Sequence, residues 1–210
     1  MNDIDVEKMN HIQLFVRDAM PSNWLEYADE LKNSAEILWE NNFNSFRLQI
    51  VQDSKKIITN DKISSISRPY LLLIGLSIEN IIKGILVAEF PEHINKGKLS
   101  KELKSHALLH LMDKIKSIQI TKSEKEILKL LEEVVPYWGR YPIPLEYNKL
   151  LPEVGVDVNL RIKLLKFHKK LGRHLHVKIR NGWDSKVGPK ILKSRNSNYG
   201  DCINYDEKLY

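Results

Sequence analysis

The chain predicts an all-α fold, an antiparallel bundle of five to six helices. Three observations carry this. Residues 70–90 form a 21-residue run, YLLLIGLSIENIIKGILVAEF, apolar almost all round and bounded by Pro69 and Pro91. A helix without a polar face belongs in the middle of a bundle. Nine glycines and eight prolines in 210 residues supply few turn signals for an all-β chain. The dominant residues Leu, Ile, Lys and Glu are mostly good helix formers.

Taken in order, residues 1–21 read as an N-terminal arm. A first helix runs over 23–42, capped by Ser22 or Asn23, with Trp24, Tyr27, Leu31, Ala35 and Leu38 at helical spacing. A weaker helix covers 45–59, with Phe46, Ile50, Val51, Ile57 and Ile58 as its apolar positions. The apolar helix follows, opened by Ser67-Arg68-Pro69, since proline suits a first helical turn. After a loop with Gly97, Ser100 caps a helix over KELKSHALLHLMDKIK. Ser123-x-x-Glu126 is a capping-box pattern for KEILKLLEEVV, which Pro136 closes. Pro142, Pro144 and Pro152 keep the next stretch extended to about residue 156. Asp157 caps the last long helix, whose buried stripe is Leu160, Leu164, Phe167, Leu171 and Leu175, and Gly182 ends it. Strand-like runs are confined to 117–120 and 154–158. The organisation expected is one helical domain over 22–185 and a basic tail over 186–210.

Several classes are disfavoured at once. The N-terminus is acidic where a signal peptide needs a basic start. The run 70–90 is long enough to span a membrane, but Glu79, Asn80 and Lys83 interrupt it, so a buried helix and no membrane partner are expected. Cys202 is the only cysteine, which rules out a disulfide within one chain and disfavours a cysteine zinc site. Cytoplasm is the expected location. P-loop, G-x-G-x-x-G, G-x-S-x-G and kinase patterns are missing. Of the formal charge of +6, residues 157–195 contribute +10 and the rest −4. Such a block attracts nucleic-acid phosphate, and it also describes a solvated helix face.

Four constellations could carry chemistry. Glu79 and Lys83 stand four apart in the favourable order, and a buried carboxylate needs a partner. The simpler reading is an internal ion pair; the functional one has Glu79 orienting a cation or substrate group, with Arg140 as partner. Trp138-Gly139-Arg140-Tyr141-Pro142 puts an aromatic, a guanidinium and a phenol on one turn, either to bind an anion or to plug the bundle. His106 and His110 have zinc-ligand spacing, with His93 or Asp113 as a third ligand; they lack the H-E-x-x-H glutamate, and no metal or other cofactor is expected. Arg161 and His168 are seven apart and share a helix face, where histidine could move a proton on a phosphodiester and arginine hold the anion. A helix rich in Lys, Arg and His also yields such pairs by chance.

Residues 65–142 resemble the HEPN family of small helical bundles. The resemblance rests on E-x-x-x-K (Glu79, Lys83), a histidine followed by leucines (His106, Leu108, Leu109, Leu111) and an R-Y-P turn (Arg140, Tyr141, Pro142), in that order. It implies a four- or five-helix bundle that often dimerises, and ribonuclease activity in toxin–antitoxin or phage-defence systems. It further implies a late arginine and histidine oriented by an earlier carboxylate. Arg161, His168 and Glu79 fill those roles, with Ile162 where the family usually has a small polar residue. Lys83, Trp138, Arg140, Tyr141, Lys169 and Arg173 are the expected binding residues. Two functions follow. One is a metal-independent endoribonuclease, as a homodimer and with a possible antitoxin. The other is a non-catalytic module that binds nucleic acid, a nucleotide or a partner protein.

Overall fold

A computed structural model describes residues 3–42, 46–47, 50–53, 56–59, 63–64, 66–95, 97–141 and 154–186. The prolines at 142, 144 and 152, Cys202 and the tail beyond 186 lie outside these residues. Among them, six α-helices dominate: α1 (Asp3–Asp18), α2 (Pro21–Asn42), α3 (Ser67–Glu89), α4 (Leu108–Lys114), α5 (Lys122–Glu133) and α6 (Val158–Ile179). The strands form three separate two-stranded antiparallel pairs.

Helix α3 is the axis. It touches α2, α4, α5 and α6, and fifteen of its 23 residues are buried, as an all-round apolar sequence requires. By length and composition it could cross a membrane, yet 72% of its most apolar window is covered by the protein itself. Helix α2 runs antiparallel to it. Tyr70 bonds Glu36 at 2.9 Å, and farther along Ser77 donates to the Ala28 carbonyl at 2.5 Å. Helix α6 packs on both through Leu164, Phe167, Leu171 and Leu175, all buried. Asp157 caps it as expected, accepting from the Leu160 N–H at 2.7 Å.

Close packing of these three helices depends on Gly84. A Cβ there would lie 2.7 Å from Leu175 Cδ2 and 3.0 Å from Trp24 Cβ. Trp24 Cβ moves only with the backbone of α2. We expect Gly84→Ala to lower stability in urea by about 1–2 kcal/mol, overpacking outweighing the helix preference for alanine. A stability gain would show that α6 yields.

The structure corrects several sequence expectations. The stretch read as an arm contains α1, which buries Val16, while Ala19 just beyond it is also buried. Ile12, Phe15, Val16 and Ala19 already carried the helical spacing. Helix α2 begins at Pro21; Asn23 lies inside it and donates back to the carbonyls of Arg17 and Asp18, at 3.3 and 3.0 Å. The helix expected over 45–59 is instead a hairpin. Strand β2 (Ile50–Asp53) pairs with β3 (Lys56–Thr59), flanked by β1 (Phe46–Arg47) with β4 (Ile63–Ser64). Its apolar residues are the β-branched Ile50, Val51, Ile57 and Ile58, which favour extended backbone. A third pair joins β5 (Ile94–Asn95) to β6 (Lys98–Leu99), turning at Gly97 with φ +75°.

The helix expected after Ser100 is broken. Ser100 Oγ accepts from Leu103 N–H at 3.4 Å, opening only the 3-10 turn Glu102–Lys104, and α4 starts afresh at Leu108. The capping box of α5 is formed by Thr121 and Glu124, two residues before the expected pair. Thr121 is already extended, with ψ 168°, which suits a cap. Pro136 does not stop that helix. The chain continues through the π turn Val134–Trp138, closed by Gly139 N–H on the Val134 carbonyl at 2.9 Å.

Candidate functional site

The break between the 3-10 turn and α4 sets a histidine against a buried ion pair of α3. Glu79 and Lys83 are 3% and 6% exposed on the most apolar helix. Their i,i+4 spacing stacks them on one face, and Lys83 Nζ reaches Glu79 Oε1 at 2.6 Å. Ser105 is extended and Ala107 leaves helical geometry, which turns His106 back onto α3. Its Nδ1 lies 3.0 and 2.9 Å from the two carboxylate oxygens of Glu79. A carboxylate accepts only, so Nδ1 carries the proton and Nε2 is the ring nitrogen not turned to Glu79. The imidazole is 37% exposed, the carboxylate 4%.

Arg140 is therefore not the partner of Glu79. It is exposed on the turn after the π segment, and Tyr141 beside it is 49% exposed. That exposure also argues against Tyr141 as a plug. Trp138 ends the π turn. His106 and His110 do not share a helix face, because His106 precedes α4 and His110 lies exposed within it. No three His, Cys, Asp or Glu among the described residues stand close enough to hold a metal.

Arg161 and His168 do share a face, and it looks at α2 rather than at Glu79. Arg161 Nε donates to Glu36 Oε1 at 3.2 Å, a terminal nitrogen pairs with Glu36 Oε2, and the guanidinium lies 5.3 Å from the Trp39 ring centroid. Burial opposes the charge on Arg161, but Glu36 outweighs it and raises the pKa. Burial, then Glu36, push the Tyr70 phenol upward, so it stays a neutral donor to Glu36. Two turns away His168, 2% exposed, has Nε2 3.9 Å from Asp29 Oδ1.

Helical geometry separates these residues from Glu79. Tyr70, which belongs to the Arg161 cluster, precedes Glu79 by nine residues. Nine residues are half a turn round α3 and roughly 13 Å along it. The three expected catalytic residues thus occupy two places on opposite sides of the central helix. Sequence reasoning missed Glu36, Tyr70 and Asp29 as partners, and His106 as the companion of Glu79.

Burial lowers His168 to about 4, helped by the charge of Lys32 and resisted by Asp29 and a hydrogen bond with the Ala28 backbone. Below an ordinary imidazole pKa of about 6.5 the unfolded chain takes up a proton that the folded chain refuses. This contribution to stability is complete above that value and is lost as the pH falls towards about 4. We expect urea midpoints to drop over this window, by less in His168→Gln, relative to its own stability at pH 7, than in the parent chain. Equal drops in both would remove His168 as the cause.

The outer face of α6 is of another kind. Lys163, Lys166, Lys169, Arg173 and Arg180 are all exposed. Their spacing puts them on one side of the helix, opposite the buried stripe, over roughly 25 Å. Helix α6 contains no Asp or Glu. Basic residues on its flanks are neutralised: Lys170 by Glu124 at 2.8 Å, Lys178 by Glu89 at 2.9 Å, and Arg161 by Glu36. Among the described residues, Lys163, Lys166, Arg173 and Arg180 meet no carboxylate. A row of cations about 5 Å apart along an axis from Lys163 to Arg173, with Arg180 about 10 Å farther, suits a phosphate backbone. Comparison with known proteins finds no matching family model, no matching curated protein and no matching solved structure.

Proposed function

We propose that the protein is a HEPN-like helical bundle that binds nucleic acid, RNA first, through the outer face of α6, and does not cleave it with Arg161 and His168. The row Lys163, Lys166, Lys169, Arg173 and Arg180 carries this reading. The supposed catalytic pair speaks against turnover. A guanidinium whose Nε and one terminal nitrogen already hold Glu36 has its charge largely neutralised before any phosphate arrives. A histidine 2% exposed has no path to a ribose hydroxyl.

One observation favours a second reading, a metal-independent endoribonuclease of the toxin–antitoxin or phage-defence type. Glu79 fixes the tautomer of His106 and leaves Nε2 on the far side of a ring that is 37% exposed, which is how a carboxylate prepares a general base. Distance from α6 weakens it. Gly84, which meets Leu175 of α6, lies about 140° round α3 from Glu79.

Labelled RNA incubated with the full chain in excess chelator separates the two. We expect micromolar binding, typical of non-specific contacts tightened by low salt, and intact RNA. Cleavage that disappears in His106→Ala but survives in His168→Gln would establish the second reading. Absence of binding to any RNA or DNA would end the first.

A further inference from the structure

A cavity of about 340 Å³ opens between α1, the first turns of α2, α3 and β6. Its volume is at the small end of small-molecule sites. Phe15, Trp24 and Tyr27 give it aromatic walls, and Asp18, Asn23 and Asn80 give it polar points.

The hydrogen-bond inventory of those walls leans towards acceptors. Trp24 spends its N–H on the Ala19 carbonyl at 3.0 Å, so it offers only its ring. Asn23 spends its amide nitrogen on the carbonyls of Arg17 and Asp18. Asn80 spends its own on the Leu76 carbonyl at 2.7 Å. Asn23 is left with its oxygen, and Asn80 with its oxygen and one N–H. Arg17 holds one carboxylate oxygen of Asp18 at 3.0 Å, which leaves the other. Tyr27, 54% exposed, contributes a hydroxyl at the rim. No Lys, Arg or His lines the cavity. Carbonyl oxygens, a carboxylate oxygen and the negative faces of aromatic rings complement a cation and repel an anion.

We propose that this cavity binds an organic cation, an amine or guanidinium on a short apolar stem, with Asp18, Asn23 and Asn80 accepting its N–H groups or facing its charge and Trp24 and Tyr27 flanking it. The cation has two possible sources, a free small amine or a Lys or Arg side chain of a partner protein. The chemistry recognised is the same, and it is independent of the nucleic-acid face.

The test is calorimetric titration of the full chain with three probes: choline, its uncharged shape match 3,3-dimethylbutan-1-ol, and N-acetyl-lysine methylamide. At least one cation should bind, and the alcohol should bind roughly tenfold more weakly, the ratio that a cation over aromatic rings supports. Asp18→Asn and Tyr27→Ala, both at exposed positions, should each weaken the cation several-fold while circular dichroism and RNA binding stay unchanged. Tighter choline identifies a free amine as the source, and a tighter lysine derivative identifies a side chain. Equal affinity for the alcohol, indifference to Asp18→Asn, or failure of both cations to bind at about 50 mM overturns the proposal.

Discussion

Glu79→Ala should cost about 3–5 kcal/mol of folding stability, the largest single effect expected in this chain. Lys83, 6% exposed, would be left in the core without the carboxylate that now lies 2.6 Å from its Nζ. His106 would lose both contacts that turn its loop onto α3. Glu79→Leu combined with Lys83→Leu should recover most of the loss, because removing a buried pair whole is far less costly than removing half of it. Urea denaturation of the parent, the single and the double variant measures this. A single-variant loss below about 1 kcal/mol would mean that Lys83 reaches water and that the pair does not anchor the fold.

Reversing three charges of the outer row, Lys166→Glu with Lys169→Glu and Arg173→Glu, should lower RNA affinity roughly a hundredfold or more, each reversal replacing an attraction by a repulsion. Stability should hold to within about 1 kcal/mol, since all three side chains are exposed. Lys98→Glu with Lys101→Glu and Lys104→Glu is the control matched in charge. Those residues are also exposed, but they lie on β6 and at the 3-10 turn before His106 instead of on α6. Equal losses in both variants would reduce the row on α6 to general attraction by a basic protein.

The legible parts of the fold were those written locally. Prolines and an apolar run delimited α3, and Asp157 with a four-residue leucine rhythm delimited α6. Helix α1 was legible in principle, through Ile12, Phe15, Val16 and Ala19, but its charged start obscured it. The hairpin β2–β3 was misread because its isoleucines and valine fit either period over so short a span. The site was less legible than the fold, for a physical reason. Arg161 and Glu36 are 125 residues apart, and His106 and Glu79 are 27 apart across a helix break that the leucine pattern conceals. Residue types announced that Glu79 needed a partner. Only the packing of α4 against α3 decided that the partner besides Lys83 is His106 and not Arg140.

The salt dependence of RNA binding by the parent chain tests the central claim most directly. Four or five phosphate contacts on a single strand predict a slope of about −3 for the logarithm of the binding constant against the logarithm of salt. A slope near zero, with RNA still bound, would contradict recognition by the cationic face of α6.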